Sequence, residues 1–462
     1  MIRLFSFVLP LVLILSATNA KADQLEKQAN ELIDIALQSK LSWQLLESLT
    51  TEVGPRLAGT EAEKRARDWA VIKLTDLGFN NIHVEDFTMT GWERGMISVQ
   101  VGAPYSQPLT AIALGKSIGT PVGGINAPVV RFADFPALLA AEESSLIGKI
   151  AFLDGTMTRT QDGSGYGLAG PRRWTGAAEA SRRGAIAVLV RSVGTDTGRN
   201  PHTGGTSYSD DAPHIPAAAL SSTDADQLAR LLALKPELQV HFTQTSRILG
   251  DVPSGNVIAE ITGSKYPDEI ILIGAHLDSW DNSPGAQDDG SGVAIVTAAA
   301  KIITDYGQPE RTIRLVLFGA EEQGLLGARA YLAAHKDNLS QIMMVSESDF
   351  GAGRVWRMDT GIAKADEPKA DRIQAVLARL GVTKGLRTAN GGPDVSVLSA
   401  AGVPAISLKQ DGWNYFDIHH TPNDTLDKVD PADLAQNTAV YAAYIWMIAN
   451  IEGGFQPPSK QN

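Results

Sequence analysis

Residues 269–306, EIILIGAHLDSWDNSPGAQDDGSGVAIVTAAAKIITDY, decide the fold class of this 462-residue chain. The segment from Glu269 to Ala275 is nearly all apolar, which is typical of a strand buried on both faces of a sheet. A turn rich in Gly, Asp and Ser follows, and residues 292–306 have the pattern of a buried helix. A strand, a turn and a helix in this order indicate an α/β fold.

The same alternation continues on both sides of this segment. The apolar patterns predict strands at 81–87, 256–261, 312–318, 341–345 and 404–408, and helices within 24–49 and at 61–77, 325–334, 370–380 and 431–451. This pattern predicts an α/β sandwich around a mainly parallel sheet.

The middle of the chain, residues 120–240, has a different texture. Short β-like runs at 149–153 and 185–191 are separated by turn-rich stretches. Residues 192–211 are dense in Gly, Thr, Ser, Asp and Asn, and we expect a long exposed loop there.

The N-terminus, MIRLFSFVLPLVLILSATNAKADQ, begins with the positive Arg3 and an apolar run from Leu4 to Leu15. Small residues, among them Ala20 and Ala22, follow this run. Because the run is too short to span a bilayer comfortably, it predicts a removed signal peptide and no membrane anchor. We therefore expect a secreted or periplasmic protein.

The composition restricts partners and metal ligands. With 40 basic and 52 acidic residues the net charge is −12, which argues against a nucleic-acid partner. The chain contains no cysteine, so disulfides and thiolate ligands are excluded. A zinc or similar site would have to use His, Asp and Glu.

Candidate ligands follow the predicted strands, where open α/β sheets form their binding crevice. His276 and Asp278 lie two residues apart, so Asp278 can hold one ring nitrogen while the other binds a metal. Asp288 and Asp289 open a helix, where ordinary N-capping is the alternative.

Glu321 and Glu322 form a carboxylate pair after an apolar strand, which costs stability unless a positive charge compensates. A metal would compensate, with one Glu as ligand and its neighbour taking a proton from a bound water. Asp349 follows another strand, and His419 and His420 precede a turn. Together these residues favour a two-metal hydrolytic site.

These motifs resemble the M28 family of co-catalytic zinc peptidases, and within it the carboxypeptidase Q (plasma glutamate carboxypeptidase) branch. The shared segments, in chain order, are GPRLAGT (54–60), GAHLDSWDNSPGAQDDGSGVA (274–294), FGAEEQGLLGARAY (318–331), SESDFG (346–351) and HHTPNDTLDKVD (419–430). The resemblance implies a phosphorylase/hydrolase-like three-layer α/β/α sandwich with a mostly parallel mixed sheet.

The resemblance also implies residue roles around two Zn²⁺ ions. It assigns His276 and Asp349 to one ion and Glu322 and His420 to the other, with Asp288 as the bridge; it makes Glu321 the general base and Asp278 the residue that orients His276. It further implies a cis peptide between Asp288 and Asp289. For His419 it leaves two roles open, a donor to the oxyanion or simple packing.

The middle region resembles a protease-associated (PA) domain, through GKIAFLDG (148–155), ASRRGAIAVLV (180–190) and IPAAALSSTDADQL (215–228). Such a domain is expected to border the active-site cleft without supplying a metal ligand. Its loop at 203–209 is either a lid or, as we expect, an ordinary exposed loop. The predicted boundaries are 1–22 for the signal peptide, 23–119 and 246–455 for the catalytic domain, and 120–245 for the β-rich insertion.

The predicted function is an exported exopeptidase that hydrolyses short peptides by attack of metal-bound hydroxide, with Glu321 as base. Because no Arg adjoins a proposed ligand in the sequence, an aminopeptidase or dipeptidase is preferred to a carboxypeptidase on the same scaffold. A non-catalytic receptor-like relative is the alternative from another class. Asp394 is a candidate contact for a substrate amine or a plain turn residue, and a homodimer is expected only by analogy.

Overall fold

The computed structural model of the chain describes residues 9–459, with side chains described from residue 23 onward. The signal peptide predicted at 1–22 lies outside the residues whose side chains are described. Within residues 9–459, no helix combines the length and the apolar character that crossing a membrane requires.

The strands of the described residues, in chain order, are β1 Asn80–Glu93, β2 Ile97–Val101, β3 Gln107–Leu109, β4 Ala111–Ala113, β5 Ile125–Phe132, β6 Ile150–Leu153, β7 Ala187–Arg191, β8 Ala217–Leu220, β9 Gln239–Gln244, β10 Arg247–Ile261, β11 Tyr266–His276, β12 Arg311–Phe318, β13 Ile342–Glu347, β14 Val355–Gly361, β15 Thr383–Lys384 and β16 Ala405–Gln410.

The α-helices are α1 Leu9–Gln38, α2 Leu41–Ser48, α3 Glu61–Asp76, α4 Phe135–Leu139, α5 Ser164–Ala169, α6 Pro171–Trp174, α7 Gly176–Arg182, α8 Ser222–Leu234, α9 Ser291–Tyr306, α10 Leu326–His335, α11 Glu367–Leu377, α12 Ser396–Ala400 and α13 Pro431–Asn450. The predicted strand–helix alternation is confirmed, whereas β14 and β15 were not predicted.

The sheet of the predicted catalytic domain, called the catalytic sheet below, has the strand order β1-β10-β12-β11-β13-β16-β14-β15, with β12, β11, β13 and β16 parallel at its centre. Ile271 and Ile273 of β11 face a core formed with α9 and α13. Ile270 and Leu272 face the opposite core, under α10 and α12. Because β11 is covered on both sides, its sequence is apolar at successive positions. The predicted three-layer α/β/α fold is confirmed.

The inserted domain is built on a second sheet, in the order β3-β2-β9-β5-β6-β7-β8-β4. It begins where β1 ends, and the chain returns at Arg247, which pairs with Glu93 in the antiparallel β1–β10 ribbon. Strands β2, β3 and β4 belong to this sheet, so the boundary predicted at residue 120 falls inside it. Because these strands are short and follow β1 closely, the sequence pattern did not show that the chain leaves one sheet and enters the other after β1.

The loop at 192–211 is not the exposed loop that its composition predicted. Residues 192–194 and 201–204 are buried, and the main-chain N–H groups of Thr195 and Thr203 donate to the carbonyls of Phe416 and His420 in the catalytic domain. The loop lies between the two domains, where its polar groups find partners instead of water. The segment 203–209 is likewise half covered rather than freely exposed.

The packing of β11 predicts a clear difference between two Ile→Ala variants. Ile273 is 0% exposed and Ile72 on α3 is 57% exposed. Ile273→Ala should lower the free energy of unfolding by roughly 2–5 kcal/mol, because it leaves a cavity in a close-packed core. Ile72→Ala should change it by less than about 0.5 kcal/mol. Urea denaturation of both variants measures this, and equal effects would contradict the described core.

Candidate active site

The predicted ligands converge because neighbouring strands end at the same edge of the sheet. His276 is the last residue of β11, Glu321 and Glu322 lie just beyond β12, and Asp349 lies just beyond β13. Strands β12, β11 and β13 are adjacent and parallel, so their carboxyl ends meet. Asp288, before α9, and His420, in the loop after β16, complete the group.

Asp288 lies between the two histidines. Its Oδ1 is 3.2 Å from Nε2 of His276, and its Oδ2 is 3.2 Å from Nε2 of His420. On the outer sides, Asp349 Oδ1 is 3.6 Å from His276 Nε2, and Glu322 Oε2 is 3.0 Å from His420 Nε2. The structure thus brings all five predicted ligands together, with Asp288 central.

The donor set fits two cations. One compact group of potential ligands contains Asp288, His419 and His420, and another contains His276, Asp289 and Asp349. Within the described residues, Oε1 of Glu322 is buried without a hydrogen-bond donor. Buried carboxylate oxygens in this state are what a bound cation would satisfy.

Asp289 belongs to the second group by distance, but its oxygens are already engaged. Oδ2 accepts the main-chain N–H of His276 at 3.1 Å, and Oδ1 accepts that of Gly292 at 3.0 Å. It therefore joins the end of β11 to the first turn of α9, partly as the N-cap interpretation expected. The peptide bond between Asp288 and Asp289 is cis, as predicted.

Asp278 forms hydrogen bonds that position both His276 and Glu321. The Nδ1–H of His276 donates to the main-chain carbonyl of Asp278 at 3.0 Å, while the Asp278 carboxylate lies farther away, at 3.6 Å. Its Oδ1 accepts the main-chain N–H of Glu321 at 3.0 Å. Asp278 thus orients His276 mainly through its carbonyl, and its carboxylate positions Glu321.

His419 is buried beside the ligands. Its ring stacks on His420 with 3.6 Å between centroids, and its Nε2 is 3.4 Å from Oδ2 of Asp288. Tyr166, Tyr415 and Phe416 surround the ring. Burial lowers the pKa of His419 well below the ordinary histidine value. A neutral imidazole lining the cavity can donate one hydrogen bond, so both predicted roles stay open.

Burial is also the largest cause of the pKa shifts of the two glutamates. It raises the pKa of Glu321 well above the usual value, and it raises that of Glu322. Asp288 differs, because hydrogen bonds from His276 and His420 outweigh burial and hold its pKa well below the usual range. A buried Glu with a raised pKa beside an ionised Asp is an arrangement suited to proton transfer.

Arg56 fixes the loop that joins β11 to Asp288. It is 0% exposed, and its guanidinium donates to the main-chain carbonyls of Leu277, Pro284 and Gly285. Its main-chain N–H donates to Ser279 Oγ at 3.2 Å. The sequence analysis placed Arg56 in the shared motif GPRLAGT but gave it no role. The preceding Gly and Pro indicate an unusual backbone conformation, but they do not indicate which groups Arg56 contacts.

Asp424 is a second positioning residue that the sequence did not reveal. Its carboxylate accepts the main-chain N–H groups of Gln287 and Asp288, at 2.6 and 3.1 Å. Burial raises its pKa to about 7. Because Asp424 lies four residues after His420, one short segment supplies a candidate ligand and holds the turn that carries Asp288.

The inserted domain contacts His420 directly. The Nδ1–H of His420 donates to the Thr203 carbonyl at 3.1 Å, and Arg173 donates to the same carbonyl at 3.2 Å. Nη1 of Arg173 lies 3.4 Å from that ring nitrogen. An arginine therefore adjoins a candidate ligand in space, although none does so in the sequence, and the argument against carboxylate recognition loses its basis.

Asp394 is not a plain surface turn residue. Its side chain is fully buried, and both oxygens lack a hydrogen-bond donor among the described residues. Burial, together with the nearby Glu347 and Glu321, raises its pKa well above the usual value. Glu347 lines the active-site cavity, whereas Asp394 is not among the residues that line it.

A cavity of about 580 Å³ lies over the ligand cluster. The catalytic domain provides Asp288, Glu321, Asp349, His419 and His420, and the inserted domain provides the opposite wall. The wall residues of the insertion are Lys116, Asp162, Gly163, Tyr166, Arg173, Trp174, Gly205, Thr206 and Ser207. This volume is in the range of small-ligand sites.

Comparison with known proteins agrees with this architecture. The profile of Peptidase family M28 matches residues 256–445, and the PA domain profile matches residues 124–228. Mouse carboxypeptidase Q is 36% identical over 435 residues, which cover 92% of this chain and 90% of the mouse protein. The chain belongs to peptidase family M28. The predicted metallopeptidase with an inserted PA domain is thereby confirmed.

Two solved structures extend the comparison. A Peptidase M28 precursor from Shewanella amazonensis superposes with a TM-score of 0.93 at 48% identity, covering 95% of this chain and all of the other. A zinc aminopeptidase from Bacillus subtilis gives a TM-score of 0.66 at 20% identity, covering 92% of this chain and 98% of the other. The second likeness is one of fold.

The contacts of Arg56 predict a large effect of its removal. Arg56→Met should lower the free energy of unfolding by the order of 3–5 kcal/mol, because it leaves buried carbonyls unpaired near a cluster of buried carboxylates. Arg65→Met, at an exposed position of α3, is the matched control and should have little effect. Chemical denaturation measures both effects. A small decrease in the free energy of unfolding for Arg56→Met would show that the loop keeps its conformation without the hydrogen bonds of Arg56.

Proposed function

We propose that this protein is an exported exopeptidase that binds two zinc ions and releases terminal residues from short peptides, as an aminopeptidase or dipeptidase. The observation that carries the proposal is the position of Asp288 between His276 and His420, within 3.2 Å of each, with Glu321 nearby in a cavity. Borderline N/O donor sets of this kind suit zinc.

One ion would be held by His276 and Asp349, the other by Glu322 and His420, and both by Asp288. When bound, zinc supplies Lewis-acid polarisation of the scissile carbonyl and a water acidic enough to react near neutral pH. The residues themselves provide a fixed frame, because Asp278, Asp424 and Thr203 hold the groups that face the ions.

Glu321 is proposed as the general base. It lines the cavity beside Glu322, and Asp278 fixes its main chain. Burial raises its pKa, so its carboxylate takes a proton from water readily and returns it to the leaving amine. His419, neutral and packed against His420, is proposed to donate to the oxygen of the tetrahedral intermediate.

The cavity favours short substrates with a free amine. Asp162 and Glu347 line the cavity outside the proposed ligand set, and a carboxylate there can pair with a substrate amine. The wall formed by the inserted domain leaves space for a short peptide rather than for a folded protein. A carboxypeptidase is the second candidate, because the mouse relative bears that name.

Export is proposed from the N-terminal sequence, whose charged start, apolar run and small residues have the form of a signal peptide. The non-catalytic alternative is disfavoured, because the chain retains every residue of the candidate ligand set and the base.

The base assignment predicts the behaviour of Glu321→Gln. This variant should keep its fold and bound metal but lose about 10²–10⁴-fold in kcat, because a carboxamide takes no proton. Glu143→Gln, at an exposed site, is the control. Turnover of a panel of dipeptides and aminoacyl amides measures the effect, and retained activity would refute the assignment.

The metal assignment predicts two zinc ions per chain by elemental analysis. A chelator should abolish hydrolysis and added zinc should restore it. Asp288→Asn should lower the zinc content, because the bridging group loses a charge, whereas the exposed Asp305→Asn should not. Chelator-resistant hydrolysis, or unchanged zinc content in Asp288→Asn, would overturn the assignment.

A further inference from the structure

Lys409 is a cation in the active-site cavity that lacks a partner. It lies on β16, is half-buried and lines the cavity together with Ser407. Among the described residues its ammonium has no hydrogen bond and no ion pair within 4.0 Å. The other lysine of the cavity, Lys116, differs, because it donates to the main-chain carbonyl of Gln323.

Three carboxylates act on the charge of Lys409, and each has another partner. They are Asp349, which lies 3.6 Å from His276, together with Asp359 and Asp162. Asp359 pairs with Arg357 at 2.9 Å and accepts the main-chain N–H of Leu386 at 2.7 Å. Asp162 accepts the main-chain N–H of Ser164 at 3.1 Å. Burial lowers the pKa of Lys409, although Asp359 opposes the shift. An ammonium partly removed from water without a counter-ion is costly, and an anionic ligand would remove that cost.

Lys409 also lies on the same side of the cavity as the candidate metal ligand Asp349. Strands β13 and β16 are parallel neighbours, and Val345 pairs with Ala405. Lys409 lies near the carboxyl end of β16, and Asp349 lies two residues beyond the carboxyl end of β13. Both line the cavity at the same edge of the sheet, and the Asp349 carboxylate acts on the charge of Lys409, so a ligand at Asp349 has Lys409 nearby.

The neighbouring wall forms a small subsite. The segment around Gln161 of the inserted domain accepts the main-chain N–H of Gly412 at 2.8 Å, and Gly163 packs against the ring of Phe350. Phe350, Gly163 and Lys409 all line the cavity. The acidic residue of this wall, Asp162, already accepts a main-chain N–H, so Lys409 is the basic group there that is available to a terminal carboxylate.

We propose that Lys409 binds the free α-carboxylate of the substrate and thereby selects peptides that end one residue beyond the scissile bond. This inference rests on the proposed function, because it names the substrate end that the same site recognises. Lys409 is in this view a specificity-determining residue, and it takes no part in proton transfer.

The test compares a dipeptide that has a free carboxylate with the same dipeptide as its C-terminal amide. Wild-type enzyme should prefer the acid. Lys409→Met should lower kcat/KM for the acid roughly 10–100-fold, mainly through KM, because a charge-assisted contact is lost. It should change kcat/KM for the amide less than about 3-fold. Lys409→Arg should recover part of the preference, and Lys116→Met should leave the acid-to-amide ratio unchanged.

The possible outcomes separate this proposal from the proposed function. Equal losses on both substrates, or no loss on either, would overturn the role of Lys409 while leaving the peptidase intact. If the wild-type enzyme hydrolysed neither substrate, the proposed activity would fail. Calorimetric titration of the same two dipeptides into zinc-loaded Glu321→Gln protein, with and without Lys409→Met, would still decide the binding role: equal affinities for acid and amide would refute it.

Discussion

The structure depends on the burial of acidic side chains at one edge of the catalytic sheet. Carboxylates that leave water lose hydration, and closely spaced carboxylates repel one another. The loss of hydration is offset at Asp288 by a histidine on each side, and at Asp289 by hydrogen bonds from two main-chain N–H groups. Glu322 retains a buried oxygen without a donor. An edge with this excess of negative charge is stable as a cation site and unfavourable as a plain core.

The loop between β11 and α9 carries the central carboxylate, and its apolar residues Leu277, Trp280 and Ala286 are buried. Arg56, from the N-terminal part of the chain, donates hydrogen bonds to main-chain carbonyls in the middle of this loop. Asp424, from the C-terminal part, accepts hydrogen bonds from main-chain N–H groups at the end of the loop. Both use main-chain groups, so the position of Asp288 follows from the backbone rather than from a side-chain rotamer. A site that places a bridging ligand between two histidines needs such a frame, because small displacements of a ligand weaken binding at both positions.

Local patterns predicted the fold well because the central strands are buried on both faces and the helices are long. The runs that became β11, β12 and α9 are apolar and bounded by turn residues, so burial and local preference agree. The candidate ligands were also predictable, because each follows a strand. Shared motifs, rather than spacing alone, selected His420 over His419.

The sequence did not reveal contacts that depend on tertiary packing. The composition of 192–211 indicates a solvated loop, yet Thr203 lies against His420, since polar loops can be buried when another domain supplies partners. The carbonyls of the β11–α9 loop that accept hydrogen bonds from Arg56 lie more than 200 positions away along the chain. Asp278 was expected to act through its carboxylate, but its carbonyl is nearer to His276. No local pattern encodes these choices.

The inserted domain is part of the site rather than an appendage. It leaves and re-enters the catalytic domain through the antiparallel β1–β10 ribbon, so both connections lie side by side. Beyond the ribbon, Arg94 pairs with Asp281 in the loop that leads to Asp288, and Arg159 pairs with Asp417 just before the histidine pair. These ion pairs join the insertion to the two loops that carry Asp288 and His420. The orientation of His420 and the shape of the cavity therefore depend on the docking of the insertion, and a substrate in this cavity contacts both domains.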